Sequence, residues 1–365
     1  MARFGNIAGV WKTVRELNVG DIREEAEQPI EVAIVGEPHA REPLTRALRG
    51  QPGRFPLARG EAVREYDLPL RRDRPETFQR ATLIILALHG DAAAPAELER
   101  AADRLSLVQT PTVVACLGGQ RLPAGVSGNG DALGLLPRIF LPLPETPEFT
   151  GQVATKIVEH IPEELRLAAA RVVPGIRPAV ANAIIGDTAL SNATFALTAG
   201  IPEMIPLLNI PLNAADMVVL TKNQALMVYR LALAFGASGD FQAQMREIMP
   251  VLGGGFAWRQ VARQLIGLVP GFGLVPKVAV AYAGTYATGQ AALLWYSRGE
   301  TLSRSALNKL YAQALEIGRQ RTAALLARRK QERAATEEAQ PRAARRRGLR
   351  RFLPGRRGAP PPEEK

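Results

Sequence analysis

Residues 278–296 read Val-Ala-Val-Ala-Tyr-Ala-Gly-Thr-Tyr-Ala-Thr-Gly-Gln-Ala-Ala-Leu-Leu-Trp-Tyr and carry no charged side chain. They close a stretch, residues 178–298, that holds three long apolar runs at 179–199, 211–235 and 256–296. Proline and glycine cluster in the breaks between the runs, where they interrupt helices because proline lacks an N–H and glycine favours no helix. This pattern predicts a hydrophobic all-α domain built of helical hairpins, spanning residues 162–327.

The apolar runs raise the question of a membrane, because a spanning helix needs about 20 apolar residues. The second run carries Asp216, Lys222 and Arg230, each costing about 2.5–3.5 kcal/mol at the centre of a bilayer helix. We expect residues 256–296 to form the main membrane-inserting hairpin, with Phe272 and Lys277 near its tip and Trp295 at the lipid interface. The alternative is that residues 278–296 form the buried central helix of a soluble domain.

Strands and helices alternate in the front half of the chain. Short runs of branched and apolar residues at 30–35, 62–70, 81–88, 112–117 and 139–143 predict strands. Helical patterns at 43–48, 95–107 and 149–161 lie between and after them. The alternation predicts an α/β domain over residues 30–161 with a doubly wound, mostly parallel sheet. Residues 1–29 are predicted to form an N-terminal amphipathic helix followed by a polar linker.

Residues 30–161 resemble the P-loop GTPase domain, with each chemical motif degenerate. Gly36 follows the first strand, but Arg41 stands at the position of the second motif glycine, Glu42 at that of the phosphate-binding lysine, and Pro43 at that of the magnesium-binding hydroxyl. Asp67 is the surviving carboxylate of the Asp-x-x-Gly motif, and glycines replace the guanine-recognition motif after residues 112–117. The resemblance implies a vestigial loop that binds no cofactor and catalyses no reaction. A divergent hydrolase that uses Asp67 is the alternative.

The helical part resembles the bacterial domain-of-unknown-function family 697, which is often found behind GTPase domains. The residues that carry this resemblance are Pro206, Pro211, Asp216, Gln224, Met227, Tyr229, Arg230, Phe235 and Gly236, with the glycine–proline turn of residues 270–276. The resemblance implies an association with membranes and with GTPase-like modules. It implies no chemistry.

The net charge of +11 is concentrated at the C-terminus. Residues 328–365 hold 13 Lys and Arg against 5 Asp and Glu, so this segment carries +8 and the remaining chain +3. Its composition predicts a disordered basic tail in which Arg346 and Arg350 face anionic lipid. Nucleic acid is not an expected partner. The lone Cys116 and the three scattered histidines predict neither a catalytic nor a metal site.

These patterns predict a non-catalytic, membrane-associated scaffold or adaptor with a pseudo-GTPase-like domain, on the cytoplasmic side of the membrane. A protein partner is expected besides the lipid surface. A soluble helical scaffold that buries a partner protein is the second alternative.

Overall fold

The computed structural model describes residues 16–51, 54–55, 62–70, 75–90, 95–119, 132–199, 214–251 and 274–339. Its front half contains a five-stranded parallel sheet with the order β2-β1-β3-β4-β5. The strands are β1 (Val32–Val35), β2 (Val63–Tyr66), β3 (Leu83–His89), β4 (Thr112–Leu117) and β5 (Arg138–Leu141). All five strands lie within or overlap the predicted runs.

The three central strands β1, β3 and β4 are buried on both faces, which explains their unbroken apolar composition. Alternate residues of β1 belong to two separate hydrophobic clusters. Val32 and Ile34 belong to a large core on one face, and Ala33 and Val35 belong to a smaller core on the other. The sheet is therefore a central layer covered by helices on each side.

The described part of the front half also contains five helices. They are α1 (Gly20–Ala26), α2 (Pro38–Arg49), α3 (Pro95–Ser106), the short α4 (Ala132–Leu135) and α5 (Phe149–His160). Leucines of α2 and the apolar face of α5 line the large core, whereas α3 and α4 cover the smaller one. Single 3-10 turns lie at Pro75–Arg80, Glu163–Leu165 and Pro174–Ile176.

The second half of the described chain is helical. It contains α6 (Arg166–Val172), α7 (Arg177–Ala199), α8 (Ala214–Ala234), α9 (Phe241–Val251), α10 (Leu274–Arg298) and α11 (Arg304–Ala339). The charge-free run lies in α10, which packs against α7, α8 and α11. Its small residues permit this close packing: a Cβ placed on Gly289 would lie only 2.6 Å from Cγ1 of Ile185. Helix α10 is thus the central helix of this half.

The two halves share one core. The cluster that contains Val32 continues through α6, α7 and α8 to Tyr296 in α10, so it crosses the boundary predicted after residue 161. The backbone of Gly175 packs closely on α2 at this boundary: a Cβ there would lie 1.9 Å from the carbonyl oxygen of Ala47. The α/β region and the helical region are therefore packed directly against each other.

Several element boundaries differ from the sequence predictions. The predicted linker contains α1, and α9 was not predicted. Helix α2 begins at Pro38 and includes Pro43, where the sequence pattern placed the helix start. Helix α11 continues to Ala339, past residue 328, where the sequence placed the start of the disordered tail: alanine, glutamate and arginine, which suggested disorder, are also strong helix formers. The predicted N-terminal helix up to residue 15, and residues 252–273 with the hairpin's first arm and Phe272, lie outside the described residues.

Candidate functional site

The candidate site lies at the carboxyl ends of β1 and β2, where Gly36 and Asp67 follow the two strands. The N–H of Gly36 donates to the carbonyl of Tyr66 at 3.0 Å and ties the turn after β1 to the end of β2. A side chain does not fit at Gly36, because a Cβ there would lie 2.8 Å from the carbonyl oxygen of Ala87 in β3. Glycine is required here for the close approach of two strands, a role that needs no phosphate.

The residues compared with a phosphate loop are mostly helical. Glu37 is the N-cap of α2, and its carbonyl accepts the N–H groups of Ala40 and Arg41, both at 3.0 Å. Arg41, Glu42 and Pro43 lie within the first two turns of the helix. A phosphate loop instead keeps successive N–H groups free to point at the anion. The N–H groups of Ala40 and Arg41 are engaged by their own chain.

Arg41 lies at the centre of an ion-pair cluster with Glu65 and Asp67, here called the edge cluster. Its Nη1 is 2.6 Å from Oδ1 of Asp67, and its Nε donates to Oε2 of Glu65 at 3.0 Å. Nη1 also donates to the carbonyl of Gly36 at 3.3 Å, and Arg49 approaches the other oxygen of Glu65 at 3.4 Å. Asp67 therefore already has a cation beside it, supplied by α2.

Two further residues lie near this edge. His39 lies in the first turn of α2, after β1, and His89 is the last residue of β3. Their ring centroids are 5.7 Å apart, and Nδ1 of His39 is 3.5 Å from Oε2 of Glu37. They line a small cleft between β1 and β3, the topological switch point for this strand order. Within the described ranges, no group of three or more His, Cys, Asp and Glu side chains is arranged to hold a metal ion.

The loop after β2 is held by another arginine. Nη1 of Arg104, in α3, donates to the carbonyl oxygen of Leu70 at 2.5 Å. Leu70 occupies the place of the motif glycine in the GTPase comparison, and its side chain packs against the smaller core. Both Asp67 and Leu70 are thus fixed by arginines from neighbouring helices.

A second polar group, here called the amide network, lies inside the helical region. Nδ2 of Asn192 in α7 donates to Oγ1 of Thr285 in α10 at 2.8 Å, and Nδ2 of Asn223 in α8 donates to Oδ1 of Asn192 at 2.7 Å. Nε2 of Gln224 donates to the same Thr285 oxygen at 3.2 Å, and the Thr285 hydroxyl donates to the carbonyl of Ala281 at 2.9 Å. Asn192 and Thr285 are fully buried. The network links three helices.

Other residues that carried the family resemblance also make structural contacts. Met227 is buried, and the hydroxyl of Tyr229 donates to the carbonyl of Gly239 at 2.8 Å. Arg230 pairs with Glu25 of α1 at 2.8 Å. These contacts position α1 and the end of α8, and none of them forms a catalytic arrangement.

The predicted membrane residues fall into two groups. Phe272, Arg346 and Arg350 lie outside the described residues, and Lys277 lies in the first turn of α10. The Trp295 indole N–H, near the other end of α10, donates to Oε1 of Glu247 at 3.2 Å. None of the helices in the described ranges combines the length and the apolar composition needed to cross a membrane.

Sequence reasoning missed Glu65 and the histidine pair. A signal was available for Glu65, because it lies two residues before Asp67 and residues two apart share one face of a strand. His39 follows the first strand and His89 ends the third, and the carboxyl ends of parallel strands meet at one edge. Asn192, Asn223 and Thr285 gave no such signal, since they lie on three separate helices.

Comparison with protein-family models finds no family that matches the chain, and comparison with curated proteins finds none that is similar to it.

Proposed function

We propose that the protein is a non-catalytic scaffold or adaptor whose front region is a pseudo-GTPase-like domain with a degenerate P-loop, and that it associates with the cytoplasmic side of a membrane. The observation that carries the proposal is the edge cluster. Arg41 lies between Glu65 and Asp67, where a nucleotide-binding relative would place magnesium and phosphate. This cation belongs to the protein itself, so the carboxylates of Glu65 and Asp67 have a positive counter-charge without a bound ligand.

Electrostatics explains why a metal–nucleotide complex is disfavoured there. Two unit charges 4 Å apart interact with about 4 kcal/mol at an effective dielectric constant of 20, and a divalent ion doubles this value. Magnesium at Asp67 would meet the Arg41 guanidinium at such a distance. The carboxylate of Glu42 would also repel the phosphates of a nucleotide.

The environment of α10 restricts how the protein meets a membrane. Helix α10 contacts α7, α8 and α11, so its small and aromatic residues pack on protein. This arrangement favours the second candidate function, a helical scaffold that binds a partner protein, over insertion of α10 into lipid. In our proposal the basic segment with Arg346 and Arg350 makes the first contact with anionic lipid, at about 1 kcal/mol per basic residue.

Calorimetry tests the nucleotide part of the proposal. We expect no heat of binding for GTP, GDP or ATP at about 50 μM, with or without magnesium. The variant Arg41→Ala should also show no nucleotide binding, because the motif lysine and hydroxyl remain absent. Arg46→Ala, on the exposed side of α2, is the matched control and should give the same result. Magnesium-dependent binding at micromolar affinity would favour the divergent hydrolase instead.

Vesicle sedimentation tests the membrane part. The full chain should bind vesicles that contain phosphatidylserine, and the bound fraction should fall as salt rises because exposed charges are screened beyond about 8–10 Å. Deleting residues 340–365, which spares α11, should remove most of the salt-sensitive part of binding. Equal binding to neutral and anionic vesicles would contradict the proposal.

A further inference from the structure

Arg54 and Phe55 lie between α2 and β2, yet both contact the helical region. Nη1 of Arg54 is 3.1 Å from Oε1 of Glu247 in α9, and its guanidinium carbon lies 4.0 Å from the ring centroid of Trp295. The same Glu247 oxygen accepts the Trp295 indole N–H. The Phe55 ring lies beside Tyr296, with centroids 6.2 Å apart. Glu247 therefore holds a cation of the α/β region and an aromatic side chain of α10 together.

Arg54, Glu247 and Trp295, here called the clamp, are more exposed to solvent than the buried arginine contacts of the molecule. The side chains of Arg54 and Glu247 remain 35% and 30% exposed, so water and salt weaken their attraction. Arg177, by comparison, is 4% exposed and donates to the carbonyls of Ala170 and Arg171. Solvent and competing anions can therefore reach this contact between the two regions.

The packing at this end of α10 also leaves the Tyr296 hydroxyl without a hydrogen bond among the described residues. Tyr296 is fully buried next to Phe55, and its hydroxyl has no hydrogen-bond partner in the described part of the chain. Burial raises the pKa of this hydroxyl above its ordinary value, with the nearby Glu247 adding to the shift. Movement of Phe55 away from Tyr296 would let water hydrogen-bond to the hydroxyl, and this gain would offset part of the cost of separating the two rings.

We propose that the Arg54–Glu247–Trp295 clamp is an autoinhibitory latch that an anionic membrane surface opens, an inference that rests on the membrane association proposed above. Arg54 exchanges the Glu247 carboxylate for a lipid phosphate, and Trp295 moves into the headgroup layer. Guanidinium groups bind carboxylate and phosphate alike, and tryptophan favours the membrane interface. The exposed Arg298, three residues after Trp295, adds a second cation at the same end of α10.

Tryptophan fluorescence measures the latch directly. The chain has three tryptophans, so Trp11→Phe and Trp258→Phe leave Trp295 as the reporter in the full-length protein. With vesicles of phosphatidylcholine and about 30% phosphatidylserine, we expect a changed Trp295 emission maximum and reduced quenching by aqueous acrylamide. Neutral phosphatidylcholine vesicles should give neither change. Inorganic phosphate at millimolar concentration should also give neither, and a response equal to that of anionic vesicles would overturn the membrane as the trigger.

Two variants separate the latch from a general charge effect. Glu247→Gln keeps Arg54 for lipid but removes its internal partner, so it should lower the lipid concentration at half-binding about fivefold. Glu300→Gln, an exposed control just beyond α10 with the same change of charge, should lower it less and leave Trp295 emission in buffer unchanged. Arg54→Gln should make Trp295 more quenchable in buffer without any gain in lipid binding, whereas Arg46→Gln should not.

The outcomes distinguish this inference from the proposed function. Vesicle sedimentation with unchanged Trp295 emission would overturn the latch and leave membrane association standing. Absence of sedimentation would overturn both. If Glu247→Gln and Glu300→Gln changed the lipid concentration at half-binding equally, the clamp would be an ordinary surface ion pair. Circular dichroism melting of each variant shows whether it is folded, and if Arg54→Gln fails to fold, the Glu247→Gln comparison decides.

Discussion

The edge cluster and the amide network place polar side chains in opposite surroundings. The side chain of Asp67 is 75% exposed, whereas Asn192 is 0% exposed. Water can replace a missing partner at the sheet edge but cannot reach the interior of the helical region. The charged cluster should therefore matter less for folding than the uncharged network.

Asn192→Leu should produce the largest effect. Leucine branches at Cγ like asparagine, although it is larger, and it removes the donor to Thr285 and the acceptor of Asn223. Each buried polar group left unsatisfied costs about 1–3 kcal/mol, so we expect the free energy of unfolding to fall by about 3 kcal/mol. Urea unfolding followed by circular dichroism measures this change.

Asn182→Leu is the matched control on the same helix. The Asn182 side chain accepts a hydrogen bond from Nε2 of Gln290 at 3.0 Å, in an exposed position. Solvent can take over that hydrogen bond, so the control should change the free energy of unfolding by less than about 0.5 kcal/mol. Similar losses in the two variants would show that burial does not distinguish them.

Gly289→Ala tests packing beside the network. The new Cβ would lie 2.6 Å and 2.8 Å from two carbons of Ile185, and relief of this overlap should cost about 1–3 kcal/mol of the free energy of unfolding. Gly186→Ala, where a Cβ has nothing within 4 Å, should instead stabilise the helix by up to about 1 kcal/mol. Ile185→Ala removes both of these carbons, so it should cost less in the Gly289→Ala background than alone, and equal costs would place the strain elsewhere.

Sequence patterns predicted the elements whose composition follows from burial. The runs at 81–88 and 112–117 are strands because both of their faces are covered, and the run at 278–296 is helical because its small residues suit a central helix. Local patterns misplaced the start of α2. Pro43 suggested a helix start, but the helix begins five residues earlier, at Pro38.

The sites were harder to predict than the fold. Gly36, Arg41 and Asp67 were singled out by comparison with a motif, and the structure brings all three together. The partners that define the chemistry of this edge, above all Glu65, required the strand pairing. The Arg54–Glu247–Trp295 clamp joins residues far apart in the chain, and no local periodicity or spacing connects them.

Asp67→Asn should have a small effect. It removes one charge from the edge cluster but leaves Glu65 beside Arg41, and exposed ion pairs contribute about 0–1 kcal/mol. We expect the free energy of unfolding to change by less than about 1 kcal/mol, and the change to shrink further at high salt. A loss as large as that of Asn192→Leu would make the edge cluster a structural element and would weaken its interpretation as a vestigial site.

Cys116 in β4 shows whether the two regions unfold together. Burial raises the pKa of its thiol from the ordinary 9.0 to about 11, so between these pH values the unfolded thiol ionises first and stability falls as pH rises. At pH 8, below both values, this contribution is small, and the thiol is buried, so labelling by a thiol reagent requires opening. Asn192→Leu lies in the helical region, but the large core joins both regions. The variant should therefore shift Cys116 labelling to lower urea by the same amount as the circular dichroism transition, whereas unchanged labelling would mean that the sheet stays folded after the helices open.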